Sequence, residues 1–233
     1  MPRYVEHTRS SPMAETDWGV HDGAIVEQPR DVRKHPLLAE VYRSHDERIA
    51  SHLPPGETLE LAFGRHMHPD ADMGVEAWPS NARTVPDPAV AGDARSLPFD
   101  DESFDAVIGR RFLHHVPPAD RRAILRESRR ILRPGGRVIL LEGTPGLYRR
   151  LTKGVAFRLG VLDEDTDIYG HLSERAVEEL VDETFDIVER ETLGSPVMLA
   201  SIAESDLAAS LFPLYERTQF VKWWTFIVGR KSS

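Results

Sequence analysis

The stretch from Thr58 to Val116 constrains this chain more than any other. Short apolar runs there, each ending in an acidic residue or a glycine, alternate with polar turns. Parallel strands present ligand-binding groups at their carboxyl ends in this way, so the stretch reads as the nucleoside-binding edge of a parallel sheet. Thr58–Phe63 is the first strand and Ala71–Trp78 the second. A parallel connection ordinarily takes a dozen or more residues with a helix inside, yet only residues 64–70 lie between these runs. The crossover helix must be missing or cut to one turn. Pro79, Pro86 and Pro88 likewise forbid an ordinary helix before the third strand, Ala89–Ala94.

Phe104–Gly109 is a buried fourth strand. The clearest helix follows over Pro117–Leu132, with Ile124, Leu125, Ser128, Ile131 and Leu132 on one face and Arg133-Pro134-Gly135-Gly136 as its stop before a strand at Arg137–Glu142. Apolar positions Leu37, Leu38, Val41, Ile49 and Leu53 mark an earlier helix that Pro54-Pro55-Gly56 ends. Leu147–Leu162 recurs at helical spacing, Ser173 can cap a helix running to about Thr184, Asp186–Leu193 and Val221–Gly229 read as strands, and Ser205–Thr218 reads as a helix that Pro213 kinks. Residues 1–30 show no sustained period and read as an irregular arm, leaving 31–233 as one domain. The fold class is α/β, a Rossmann-like doubly wound seven-stranded sheet, mostly parallel with an antiparallel last strand and with reduced helices near strands 1–3.

Composition narrows the function. A formal net charge of -9 argues against a general nucleic-acid binder, which needs a basic face. The absence of cysteine removes disulfides, thiolate metal sites and a cysteine nucleophile, and fits a reducing cytoplasm. The longest apolar stretches fall far short of the ~20 residues that span a bilayer, and no signal-peptide core is present. A cytoplasmic protein is therefore expected. Scarce lysine and excess acid resemble proteins of salt-loving organisms, although a GC-rich genome gives the same arginine bias.

Four strings carry a family resemblance: Gly92-Asp93-Ala94-Arg95-Ser96-Leu97-Pro98-Phe99, Ser103-Phe104-Asp105-Ala106-Val107, Leu113-His114-His115-Val116, and Arg130-Ile131-Leu132-Arg133-Pro134-Gly135-Gly136. In this order and at these gaps they resemble the class I S-adenosylmethionine-dependent methyltransferases over roughly residues 37–145, in a short variant with a truncated crossover between strands 1 and 2. Trp223–Val228 looks like the family's last strand. The resemblance implies S-adenosylmethionine as cofactor and a small-molecule methyl acceptor. It implies that Glu60 orders the first loop and the amino group of the methionine moiety, and that Gly64 lets backbone approach the cofactor. Glu76, followed by Ala77, would accept both ribose hydroxyls. Asp93 and Ala94 would hold the adenine, and Gly109 and Arg110 would line the sulfonium. Ala62-Phe63-Gly64 departs from the family's Gly-x-Gly, so Phe63 either stacks on the ligand or fills its space. An inactive scaffold with a degenerate loop is the competing reading. A nicotinamide dehydrogenase is disfavoured because the Gly-x-Gly-x-x-Gly turn and its helix are absent.

For catalysis, His114, His115 and Glu142 are weak candidates, the histidines because an imidazole near neutral pKa can take a proton. Placing a nucleophile in line with the methyl carbon demands no dedicated base. His66, His68, Asp70 and Asp72 have a spacing that mimics metal ligands, but one tight turn would have to supply most of them, so no metal is assigned. The arginines Arg121, Arg122, Arg126, Arg129 and Arg130 read as a solvated or acid-paired helix face. The acceptor pocket is expected from the N-terminal helix and from cap segments at about 143–170 and 195–220. Sheet surface left bare by the short crossovers calls for cover by the N-terminal arm or by a second copy in a homodimer.

Overall fold

A computed structural model describes residues 36–64, 66–77, 88–144, 172–194 and 222–232. The expected N-terminal arm, the Leu147–Leu162 segment, the Ser205–Thr218 helix and almost all of both cap segments lie outside the described residues. Within them, seven strands form one sheet: β1 (Thr58–Leu61), β2 (Met73–Glu76), β3 (Ala89–Ala91), β4 (Phe104–Arg110), β5 (Leu132–Gly143), β6 (Asp186–Gly194) and β7 (Lys222–Arg230). The spatial order is β3-β2-β1-β4-β5-β7-β6. Strands β1 to β5 pair in parallel, and β7 runs antiparallel to both β5 and β6. This is the doubly wound seven-stranded sheet that the strand pattern implies.

Alternation along each strand sends its side chains to two separate cores. On one face, helix α1 (Pro36–Ala50) places Ile49 against Ile108, Ile139, Leu141, Phe226 and Val228. On the other, α2 (Pro118–Ile131) and α3 (Glu174–Asp182) bury Ile124, Leu125, Ile131, Val177 and Val181 against Leu59, Leu61, Val107, Val138 and Leu140. Burial on both faces explains why β4 and β5 read as continuous apolar runs. The Ser173 hydroxyl caps α3 by accepting the Ala176 N–H, as its position predicts. The α2 arginines are largely occupied: Arg122 pairs with Glu183, Arg130 with Glu127 and Asp101, and Arg129 donates to the Thr184 carbonyl.

The strands near the binding edge are shorter than their sequence suggests. β1 stops at Leu61 because Ala62 turns into the left-handed region at φ 50°. β2 covers only Met73–Glu76 and β3 only Ala89–Ala91, each bounded by turns. No helix occurs among the described residues of 62–72. The Phe63 ring takes part of the missing helix's place: it is buried against β2, and a Cβ on Gly74 would lie 2.4 Å from it. Phe63 thus covers this part of the sheet. No helix of the described residues is long and apolar enough to cross a membrane.

Candidate functional site

The carboxyl ends of β1, β2, β3 and β4 meet at one edge, and each ends in a group with a defined contact. Glu60 is fully buried; its Oε2 accepts the His68 N–H at 2.5 Å, and its Oε1 accepts from Arg110 Nε at 2.5 Å. Arg110 also donates to Asp46 Oδ1 on α1 at 2.7 Å and to the His66 carbonyl at 2.8 Å. Burial works against the guanidinium charge, but Glu60 and Asp46 outweigh it and hold the group above its ordinary pKa. Arg110 therefore clamps β1, β4, α1 and the first loop together. Its charge is matched within the protein, which lowers the electrostatic cost of any cation bound nearby.

The loop after β1 is built around Glu76. Ala62 donates its N–H to Val75 O at 2.7 Å, and Gly64, at φ 62°, donates its N–H to Glu76 Oε2 at 2.9 Å. A side chain at Gly64 would meet nothing within 4 Å, so the loop apex faces open space directly beside a carboxylate that is 4% exposed. Ala62 stands where the resemblance implies a glycine and adopts the backbone conformation glycine favours. That conformation costs a non-glycine residue about 1–2 kcal/mol. Ala77 continues from Glu76 as a half-buried bend.

Asp93 sits past the end of β3. Its carboxylate accepts the backbone N–H of Arg95 at 2.8 Å and the Arg95 guanidinium at 2.7–3.1 Å, and Arg95 reaches on to Asp120 at 3.1 Å. Ala94 lies in the same turn, half-buried against the core. Gly109 owes its missing side chain to packing, since a Cβ would lie 2.6 Å from Phe112 and 2.7 Å from Leu140.

Glu142 and His114 come together at the ends of β5 and β4. Fully buried Glu142 accepts the N–H groups of Phe112 and Leu113 on Oε1 at 3.0 and 2.9 Å, and its Oε2 lies 3.0 Å from His114 Nδ1. It shapes the turn that leads β4 into a short 3-10 segment, Leu113–His115, and orients one imidazole. The His115 ring lies 4.0 Å from that of His114, tilted by 47°, and burial, with His114 beside it, pushes its pKa down to about 4. His115 is therefore neutral at physiological pH. The metal-like spacing of His68, Asp70 and Asp72 serves the loop: His68 Nε2 lies 3.1 Å from Asp46 O, His68 Nδ1 accepts the Asp70 N–H, and Asp72 accepts the Thr58 N–H.

Sequence reasoning missed a second group. Tyr42 and His45 of α1, Arg111 after β4 and Trp224 of β7 gather on the β5–β7 side of β4, with the Arg111 guanidinium 4.1 Å from the Tyr42 ring centroid. The doubled arginine closing an apolar strand was the available signal, and only Arg110 was singled out from it.

Glu76 offers a carboxylate to a vicinal diol next to an open glycine apex, and Phe63 is turned away onto Gly74. These residues fit a nucleoside cofactor.

Part of this sheet is similar to known proteins. Residues 61–140 match the family described as "Methyltransferase domain". A demethylmenaquinone methyltransferase of Mycobacterium tuberculosis (strain H37Rv) is 51% identical over 147 residues, covering 51% of this chain and 61% of that protein. The chain thus spans between half and two thirds of the length of such curated relatives. Among solved structures, a SAM-dependent methyltransferase from Thermotoga maritima superposes with TM-score 0.59 at 20% identity, covering 86% of this chain and 92% of that one. The PH0226 protein of Pyrococcus horikoshii gives 0.61 at 17% identity, covering 92% and 100%. The family match runs from the last residue of β1 into β5, the strands whose ends hold the loop and the carboxylates, and the fold is that of the class I methyltransferase structures it resembles.

Proposed function

We propose that this chain moves the methyl group of S-adenosylmethionine to a small-molecule acceptor. The observation that carries the reading is the Glu76 carboxylate, held by the Gly64 N–H at an open loop apex between β1 and β2. When bound, the cofactor supplies a methyl carbon already activated by its sulfonium. The chain's own residues bind and orient. Glu76, with Ala77 after it, accepts the ribose hydroxyls; Asp93 and Ala94 take the adenine edge, with Arg95 holding the Asp93 carboxylate in place; Glu60 fixes the first loop through His68 and Arg110. Glu142 sets the orientation of His114, which borders the strand ends where an acceptor would meet the methyl group. The relatives named for demethylmenaquinone support methylation of a small molecule; they are matched over only about half of this chain, so the acceptor is not carried over with them.

Calorimetry tests the reading. S-adenosylmethionine is expected to bind the full chain, and Glu76→Ala is expected to weaken it at least tenfold, as loss of a doubly accepting carboxylate should. No heat from the wild-type chain at millimolar cofactor would sink the enzyme reading and favour the scaffold one.

A further inference from the structure

Four buried side-chain nitrogens among the described residues have no hydrogen-bond partner: His45 Nδ1, Arg111 Nη1, Trp224 Nε1 and Arg121 Nη2. The first three belong to side chains grouped about one indole. The His45 ring lies 5.4 Å from the Trp224 ring in an edge-on arrangement, and the Arg111 guanidinium lies 5.9 Å from the same ring while stacking on Tyr42. Buried polar groups are almost always paired, so three orphans at one point call for an explanation.

The neighbouring arginines make the contrast plain. Arg110 is matched by two carboxylates and a carbonyl, whereas Arg111 has no hydrogen-bonded or ion-paired acid among the described residues of a chain with net charge -9. Arg111 is also held at φ 56°, a conformation costly to any residue but glycine, by its N–H bond to Leu141 O at 2.7 Å. A cation with no hydrogen-bonded or ion-paired acid among the described residues, a strained backbone and two further orphan nitrogens share one place. Such features persist where a ligand completes them.

The geometry points to an anion subsite in which Arg111, Trp224 and His45 grip the carboxylate of a flat methyl acceptor. Guanidinium and indole N–H groups are donors only, and the His45 imidazole donates from Nδ1 when its proton sits there. The Tyr42 and Trp224 rings give a planar body its apolar walls. Within the sheet, Arg111 bonds to β5 and Trp224 belongs to β7, both across β4 from the strands that end in Glu76 and Asp93. That placement assigns the anion to the acceptor and not to the cofactor. Calling the ligand an acceptor rests on the methyl-transfer reading; the subsite itself does not.

The test uses benzoate and its neutral isostere benzamide, titrated into the full chain and followed by ligand-observed NMR. Benzoate is expected to bind at least tenfold more tightly than benzamide, and Arg111→Met to abolish that preference. Trp224→Phe, which keeps a ring and loses the N–H, should reduce it severalfold. Thermal melting supplies an independent readout: an arginine kept for ligand leaves Arg111→Met as stable as the wild type or more so, whereas a structural arginine makes it less stable. Equal binding of the two probes, absence of benzoate binding, or an unchanged preference in Arg111→Met would overturn the subsite. Displacement of benzoate by S-adenosylmethionine would overturn the assignment to the acceptor and give the anion to the cofactor. If benzoate binds as expected but the chain takes no S-adenosylmethionine, the subsite stands and the methyl-transfer reading fails.

Discussion

Glu60 and Arg110 form a pair that sequence patterning alone would not value correctly, because both are charged and both are almost wholly removed from water. Two such charges repay their desolvation only when every partner is present, and removing one leaves the other buried and unmatched. Glu60→Gln and Arg110→Met are each expected to cost about 3 kcal/mol or more in urea denaturation. The double variant should cost clearly less than the two together, a coupling of about 1–3 kcal/mol. Simple additivity would show that the two side chains do not act as a unit. Glu60 was legible as a strand-end acid, and its carboxylate accepts the His68 N–H of the first loop. The clamp was not legible, since Arg110 reaches Glu60, Asp46 and the His66 carbonyl on three elements that only the packed sheet brings together.

At the level of elements, the crossover between β1 and β2 shows what a missing helix entails. Phe63 lies over Gly74, and the two are matched in size: the ring occupies the volume that any β2 side chain there would need. Gly74→Ala should destabilise the chain by about 1–3 kcal/mol through overpacking, and Phe63→Leu should restore part of that loss in the double variant. Thermal melting of the three variants checks this, and a Gly74→Ala chain as stable as the wild type would refute the contact. The same region shows how far the sequence can be read. The strands themselves, the succession of α2 and β5 and the absence of an intervening helix follow from local chemistry, from prolines and apolar spacing; the strand ends do not, since β1 to β3 are shorter than expected and β5 begins already at Leu132. The direction of the Phe63 ring does not, because it depends on Ala62 adopting a left-handed backbone and on the hole left by Gly74 a strand away. Glu142 is a similar case. The sequence offers it as a weak catalytic candidate, and the fold adds that it accepts the Phe112 and Leu113 N–H groups of the turn after β4.

Across the whole molecule, buried histidines couple stability to pH. Burial, reinforced by Arg111, Arg110 and Arg48, lowers the His45 pKa from 6.5 to about 3. The unfolded chain therefore takes up this proton before the folded one does, and stability falls as pH drops from about 6.5 toward 3. His115, lowered to about 4, acts in the same direction. His45→Phe, which keeps an aromatic edge against Trp224, should flatten the acid limb of the stability curve by about 1.4 kcal/mol per pH unit. Urea midpoints measured from pH 7 to pH 4 compare the two chains, and parallel curves would show that His45 is not held neutral. The crossover carries a different consequence. A helix supplies its own acceptors wherever it is placed, but this loop borrows them: Gly64 uses Glu76, His68 uses Glu60 and Asp72 uses Thr58 O, all from the strands it joins. Residues 62–72 are thus not a portable module. Transplanted into another sheet they would arrive with their amides unmatched, and an exchange of this segment between related chains would succeed only if both strand-end glutamates travelled with it.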